Sequence, residues 1–166
     1  MRFLPAIALL LALSTPAAPQ DPPTAFHATT CDASLWDHVY HGTFSTPQDR
    51  LKVLDSCITI TGKIESAAAE DDGDRHIRLR VDKPFKKLLN AKNRTGQKGF
   101  LVVEPVCERK VTQKDTLLEK VCNAFHQDLY TSKLHGKRVT VTGVYVEDQE
   151  HGWREIHPVT SIALLN

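Results

Sequence analysis

Residues 137–165 read KRVTVTGVYVEDQEHGWREIHPVTSIALL, two strands joined by an acidic turn, and the rest of the chain is placed by asking how it pairs with them. In the first arm Val139, Val141 and Tyr145 share one face, while Thr140, Thr142, Val144 and Val146 share the other. A period of two belongs to a strand, whose successive side chains point to opposite sides. Gly143 interrupts the pattern where a bulge or sharp bend is expected. The second arm, 155–163, carries Ile156 and then Val159, Thr160 and Ile162 around Pro158. Proline has no N–H to give to a ladder, so this arm belongs at an edge or at an irregular closure point.

Working outward, residues 1–20 (MRFLPAIALLLALSTPAAPQ) combine Arg2, an apolar run over 3–13, and then small residues and prolines. That is the layout of a signal peptide over 1–18, cut near Ala17 or Ala18, and its apolar run is too short to serve as a membrane anchor. An exported monomer, periplasmic or secreted, is expected. What remains, on the order of 150 residues, suits one domain. With 21 basic and 20 acidic residues the chain has no overall basic field to collect nucleic acid. Cys31, Cys57, Cys107 and Cys122 all lie in the exported part, which favours two disulfides. Three pairings are possible; Cys31–Cys57 with Cys107–Cys122 is preferred because each closes a local loop. The rival is a zinc site, but no CxxC or HxxxH spacing supports it.

Residues 19–56 read as an extension and cover. In 31–42 (CDASLWDHVYHG) Ser34 would cap a helical turn bearing Leu35, Trp36, Val39 and Tyr40, and 47–54 would form another turn. A barrel domain is expected over 57–166. Its first strand is 57–66, bent at Gly62, followed by an acidic turn over 67–74. The second strand is 75–82, with Ile77, Leu79 and Val81 inward and His76, Arg78, Arg80 and Asp82 outward. After a polar connection, 99–106 is a third strand, apolar on both faces until Pro105. Asp115 then caps a helix in which Leu118, Val121, Cys122, Phe125 and Leu129 recur at helical spacing. Three strands, a helix and two strands is the order of the five-stranded OB barrel, where the helix plugs the bottom. The expected fold is thus all-β with one helix, an OB-like barrel under an N-terminal helical or irregular cover.

The blocks EDDGDRHIRLRVD (70–82), LLNAKNRTGQKGFLVVEPVC (88–107) and DQEHGWREIHPVTSI (148–162) resemble an exported bacterial OB-fold-like family of unknown function. That resemblance implies fold and compartment, and no activity. Asp72-Gly73-Asp74 followed by RLRVDKP (78–84) is similar to the acidic and arginine-bearing strands of the staphylococcal-nuclease family, also exported and OB-folded. In that family a longer hairpin separates the two elements, and a later Glu and Arg serve the phosphate chemistry. Here they are compressed together and no such pair follows.

In an OB barrel the loops between strands one and two and between strands four and five flank the binding face. The first carries Glu70, Asp71, Asp72, Asp74 and His76; the second carries Glu147, Asp148, Glu150, His151 and Trp153, with Glu155 and His157 following. Carboxylates suit a hard cation and imidazoles a transition metal, so Asp72, Asp74, Asp148 and Glu155 are the candidate ligands of a divalent cation, with His76 or His151 adding for a transition ion. The plainer alternative is a pair of solvated turns. Ligand contacts are assigned to Arg78, Arg80, His151, Trp153 and His157. Trp153 would be either a stacking platform or a core-closing residue. The Arg78 and Arg80 stripe would track a phosphate backbone or be a solvated face. His157, next to Pro158, would satisfy backbone groups at a barrel corner if it binds no ligand. Asn93-Arg94-Thr95 matches a glycosylation acceptor. Ser45, Ser56, Ser66, Ser132 and Ser161 lie in no nucleophile elbow, and no glycine loop cradles phosphate. The reading is a non-catalytic binding module for a polar small molecule, oligosaccharide, nucleic acid or protein. The alternative is a metal-dependent hydrolase or nuclease using the acidic loops.

Overall fold

The computed structural model describes residues 30–165 and the backbone of Phe26–His27; the signal peptide expected over 1–18 lies outside them. The protein is mostly sheet, 38% strand and 25% helix. Its strands are β1 (Phe26–His27), β2 (Leu51–Ala69), β3 (Arg75–Val81), β4 (Leu101–Val103), β5 (Arg138–Asp148) and β6 (Arg154–Leu164). Its α-helices are α1 (Pro47–Arg50), α2 (Ala91–Gly96) and α3 (Thr116–Ala124), with 3-10 turns at Ala33–His38, Lys83–Leu88 and Ser132–Leu134.

Five strands close into a ring, β2–β3–β4–β6–β5 and back to β2, antiparallel except for the parallel β4–β6 pair. Closure depends on the length of β2, whose Gly62 pairs with Val81 on one side and Val139 on the other. A Cβ at Gly62 would lie 2.6 Å from the Arg80 carbonyl oxygen, so only glycine allows that approach. At Gly143 a Cβ would lie 2.5 Å from Ile156 Cγ2, and the β5–β6 register shifts on both sides of this residue, as a bulge requires. Pro158 sits at the closure rather than at an edge, because β6 also pairs with β4 through Glu155 and Ile156.

The two faces of β5 part as their alternation predicts. Val139, Val141 and Tyr145 join an apolar cluster drawn from all five ring strands, with Ile60, Leu79, Leu101 and Ile156 fully buried in it. Val144 and Val146 join a second cluster with Leu35, Val39, Leu51 and Val106, so residues of the expected cover roof the other face.

Several boundaries differ from expectation. The first strand of the ring, β2, starts at Leu51, not residue 57, and continues to Ala69, because 51–53 pair with 146–148 of β5. The segment LKVLDS does not alternate, so periodicity could not find it. The acidic turn shrinks to 70–74, and the third strand to three residues. Asp32, not Ser34, caps the first turn, which is 3-10. Asp115 caps α3 as expected, but the helix stops at Ala124 and does not plug the ring. Its one buried side chain, Leu118, belongs to neither apolar cluster, and the helix lies against the Ala33–His38 turn. Phe85 of the Lys83–Leu88 turn fills the ring's main cluster, backed by Leu88, Leu129 and Tyr130. Both expected disulfides are formed, Cys31–Cys57 and Cys107–Cys122. Among the described residues no helix is long and apolar enough to cross a membrane. Asn93 cannot accept a glycan in the folded chain: it is fully buried, and its amide donates to the carbonyls of Phe100 and Arg154.

Candidate functional site

At one end of the ring the chain buries charge instead of apolar side chains. The 70–74 turn is folded on itself, Asp72 Oδ1 accepting from the Asp74 backbone N–H at 3.0 Å. Asp74 Oδ1 then accepts from the Cys107 N–H at 2.8 Å, which ties this turn to the segment after β4. That segment carries Glu104, whose N–H donates to the Ile156 carbonyl, so ring closure sets Glu104 beside Glu155 and His157.

His157 is the centre of the cluster. Its Nδ1 lies 3.0 Å from Glu104 Oε2 and 3.1 Å from Glu155 Oε1, and its Nε2 lies 3.2 Å from Asp74 Oδ2. Glu155 is held from the other side by the Trp153 indole N–H, which donates to Oε2 at 2.8 Å. Glu104 Oε1 lies 2.8 Å from His76 Nδ1. His76 Nε2 faces Gln97 Oε1 at 3.2 Å, the same oxygen that accepts from Arg78 Nε at 2.8 Å. Beside this group Asp148 Oδ2 takes Arg50 at 3.2 Å and His151 Nδ1 at 2.9 Å. The His151 ring lies flat on Trp153, centroids 4.3 Å apart.

Burying these groups is costly unless opposite charges meet. Burial alone would lower the pKa of His157, but Asp74, Glu104 and Glu155 overcome it and raise the imidazole well above 6.5. Burial would likewise raise Glu104, yet His157 and His76 hold it well below the usual carboxylate range. The carboxyls without a second imidazole partner go the other way. Burial, with Asp72 adding, pushes Asp74 up to about 7, and burial also raises Asp72 and Glu155. Five carboxyls (Asp72, Asp74, Glu104, Asp148, Glu155) thus share four basic partners (Arg50, His76, His151, His157), and the surplus favours bound protons or a further cation.

Above the cluster opens a cleft of about 540 Å³. Asp72, Arg78, His151 and Trp153 line it, whereas Asp74, Glu155 and His157 lie beneath, closed off from solvent. Arg80 is outside: its side chain is 61% exposed, pairs with Glu65 at 2.7 Å and lies over the Phe100 ring. The arginine stripe is therefore split, one residue in the cleft and one on the outer surface. Among the described residues His157 satisfies no backbone group; its partners are carboxylates. Asp72, Asp74, Asp148 and Glu155 do gather at one end, yet Asp148 is engaged by Arg50 and Glu155 by Trp153. No three of them form a common ligand group; among the described residues that group is Asp74, Glu104 and His157, one donor atom from each lying within 4.8 Å of the others. Glu104 and Arg50 were not singled out in the sequence. A carboxylate interrupting the apolar run LVVEPV was the available signal for Glu104, since a charge there is buried and must be paired. Arg50 had none: its role depends on the long-range pairing of 51–53 with β5.

No protein-family model matches the sequence, and no curated protein matches it.

Proposed function

We propose that the chain is an exported, non-catalytic OB-type binding module whose cleft takes a small, polar, positively charged molecule. The strand order round the ring, with a helix between β4 and β5, supports the OB reading, and the two disulfides support export. The observation that carries the ligand class is the lining: six carboxylates (Glu70, Asp71, Asp72, Glu104, Asp148, Glu150) against two arginines (Arg50, Arg78). Arg50 is already paired with Asp148; Arg78 donates to the neutral Gln97 amide and keeps its charge, which still leaves the carboxylates in excess. Such a lining repels a phosphate backbone and attracts a cation, which the stacked Trp153 and His151 rings would also receive. Acid–base catalysis finds little support, because both ring nitrogens of His76 and of His157 face an acceptor.

Titration calorimetry at low salt tests this with three probes: spermidine, a neutral oligosaccharide and a single-stranded oligonucleotide. Spermidine is expected to bind, and to bind more weakly after Glu70→Gln with Glu150→Gln, which neutralises two half-exposed rim carboxylates. Binding of the oligonucleotide or the sugar with no binding of spermidine contradicts the proposal.

A further inference from the structure

We infer a buried site for one divalent first-row transition ion, with Asp74, Glu104 and His157 as its protein ligands. The inference goes beyond the cleft's ligand and does not depend on it. Three carboxylates round an imidazole are not by themselves a metal site, since an imidazolium would balance them. The decisive observation is that Asp74 Oδ2 and His157 Nε2 are shut off from solvent and, among the described residues, neither makes a hydrogen bond. They face each other at 3.2 Å, close enough for an ion pair but out of line for a hydrogen bond. A first-row ion sits roughly 2.1 Å from nitrogen and oxygen donors, so two donors 3.2 Å apart subtend about 100° at the ion. That angle lies between octahedral and tetrahedral values. Glu104 offers a donor atom within 4.8 Å of one from Asp74 and one from His157, so the three residues form one candidate ligand group.

Two surrounding features fit a metal ligand set. The other imidazole nitrogen of His157 faces Glu155 at 3.1 Å, and Glu155 is itself fixed by Trp153. A carboxylate behind the histidine holds the ring so that Nε2 points at the ion, making Glu155 a positioning residue. Glu104 lines the cleft as well as the cluster, which gives an ion a way in from an acidic vestibule. One imidazole and two carboxylates suit manganese, iron or zinc; calcium calls for six to eight oxygens, which three donors in a closed space do not supply.

The mature protein, stripped with chelator, is titrated with Mn(II) while paramagnetic resonance reads the free ion and any nitrogen-14 coupling of the bound one. Expected are one ion per chain, imidazole nitrogen coupling, displacement by Zn(II) and none by Ca(II). Asp74→Asn keeps the side chain's shape and should weaken binding at least about tenfold; Glu104→Gln should do the same. No saturable binding by the unsubstituted protein, or a bound ion without nitrogen coupling, overturns the inference even if a variant fails to fold. Binding that survives both substitutions overturns it too. Loss in Glu70→Gln instead of Asp74→Asn places the ion on the rim, which also overturns the buried site while leaving the cleft's preference for cations standing.

Discussion

Ile156 and His157 are neighbours on β6 and both fully buried, yet they belong to regions held together differently. Ile156 sits in the apolar cluster of the ring, where burial is non-directional and indifferent to pH. His157 sits among carboxylates whose worth depends on distance, alignment and protonation. The contrast teaches that one end of this ring is built for charge at a cost in stability. A protein needing only a stable barrel would fill that end with aliphatic side chains.

The largest effect that separates the two regions is expected from His157→Leu. Removing the central cation leaves Asp74 and Glu155 without their ion-pair partner and Glu104 with His76 alone, and should cost about 3–5 kcal/mol at pH 7 in urea unfolding. That cost should shrink at pH 5, where Asp74 and Glu155 accept protons more readily. Leu79→Ala, in the apolar cluster, should cost about 2–5 kcal/mol at either pH. Equal pH sensitivity in the two variants would erase the distinction.

A smaller effect concerns Asp74 in metal-free protein. Its folded pKa is raised from 3.8 to about 7, so its contribution is fully present below 3.8 and is lost as pH climbs through 7. Stability should fall by up to about 1.4 kcal/mol for each pH step in that window. Asp148 acts in the opposite sense. Burial opposes its ionisation, but Arg50 and His151 lower its pKa, so its contribution is present above 3.8 and lost on acidification. Asp74→Asn should flatten the decline between pH 4 and 7 while leaving the acid limb. An unchanged slope in chelator, followed by denaturant melts across that range, would remove Asp74 from the charge balance.

The smallest effect is expected on the outer surface. Arg80→Ala breaks an exposed, solvent-screened pair with Glu65 and should leave stability nearly unchanged, with no change in spermidine binding. Weakened binding would bring Arg80 into the site that its outward placement excludes.

The same division marks what could be read before the fold was known. Alternation in 75–82 and 138–146 was legible because each strand carries its own period, and the local loops closed by Cys31–Cys57 and Cys107–Cys122 needed no tertiary knowledge. Where α3 docks was not legible, since helical spacing does not say which surface receives the helix. The charged cluster was half legible. Asp72, Asp74, Asp148, Glu155 and His157 stood out as residue types in two loops, but which carboxylate meets which imidazole follows from β4 closing on β6. Glu104 enters through that one parallel pairing, and Arg50 through the unpatterned start of β2.

The most direct test of the cluster is a nitrogen-15 NMR titration of the His157 imidazole in metal-free protein. Asp74, Glu104 and Glu155 around the buried ring favour an imidazolium, so both nitrogens are expected to be protonated at pH 7, with a His157 pKa well above 6.5. A neutral imidazole at pH 7, or a midpoint at or below 6.5, would contradict the ion-paired centre on which the rest of the site is built.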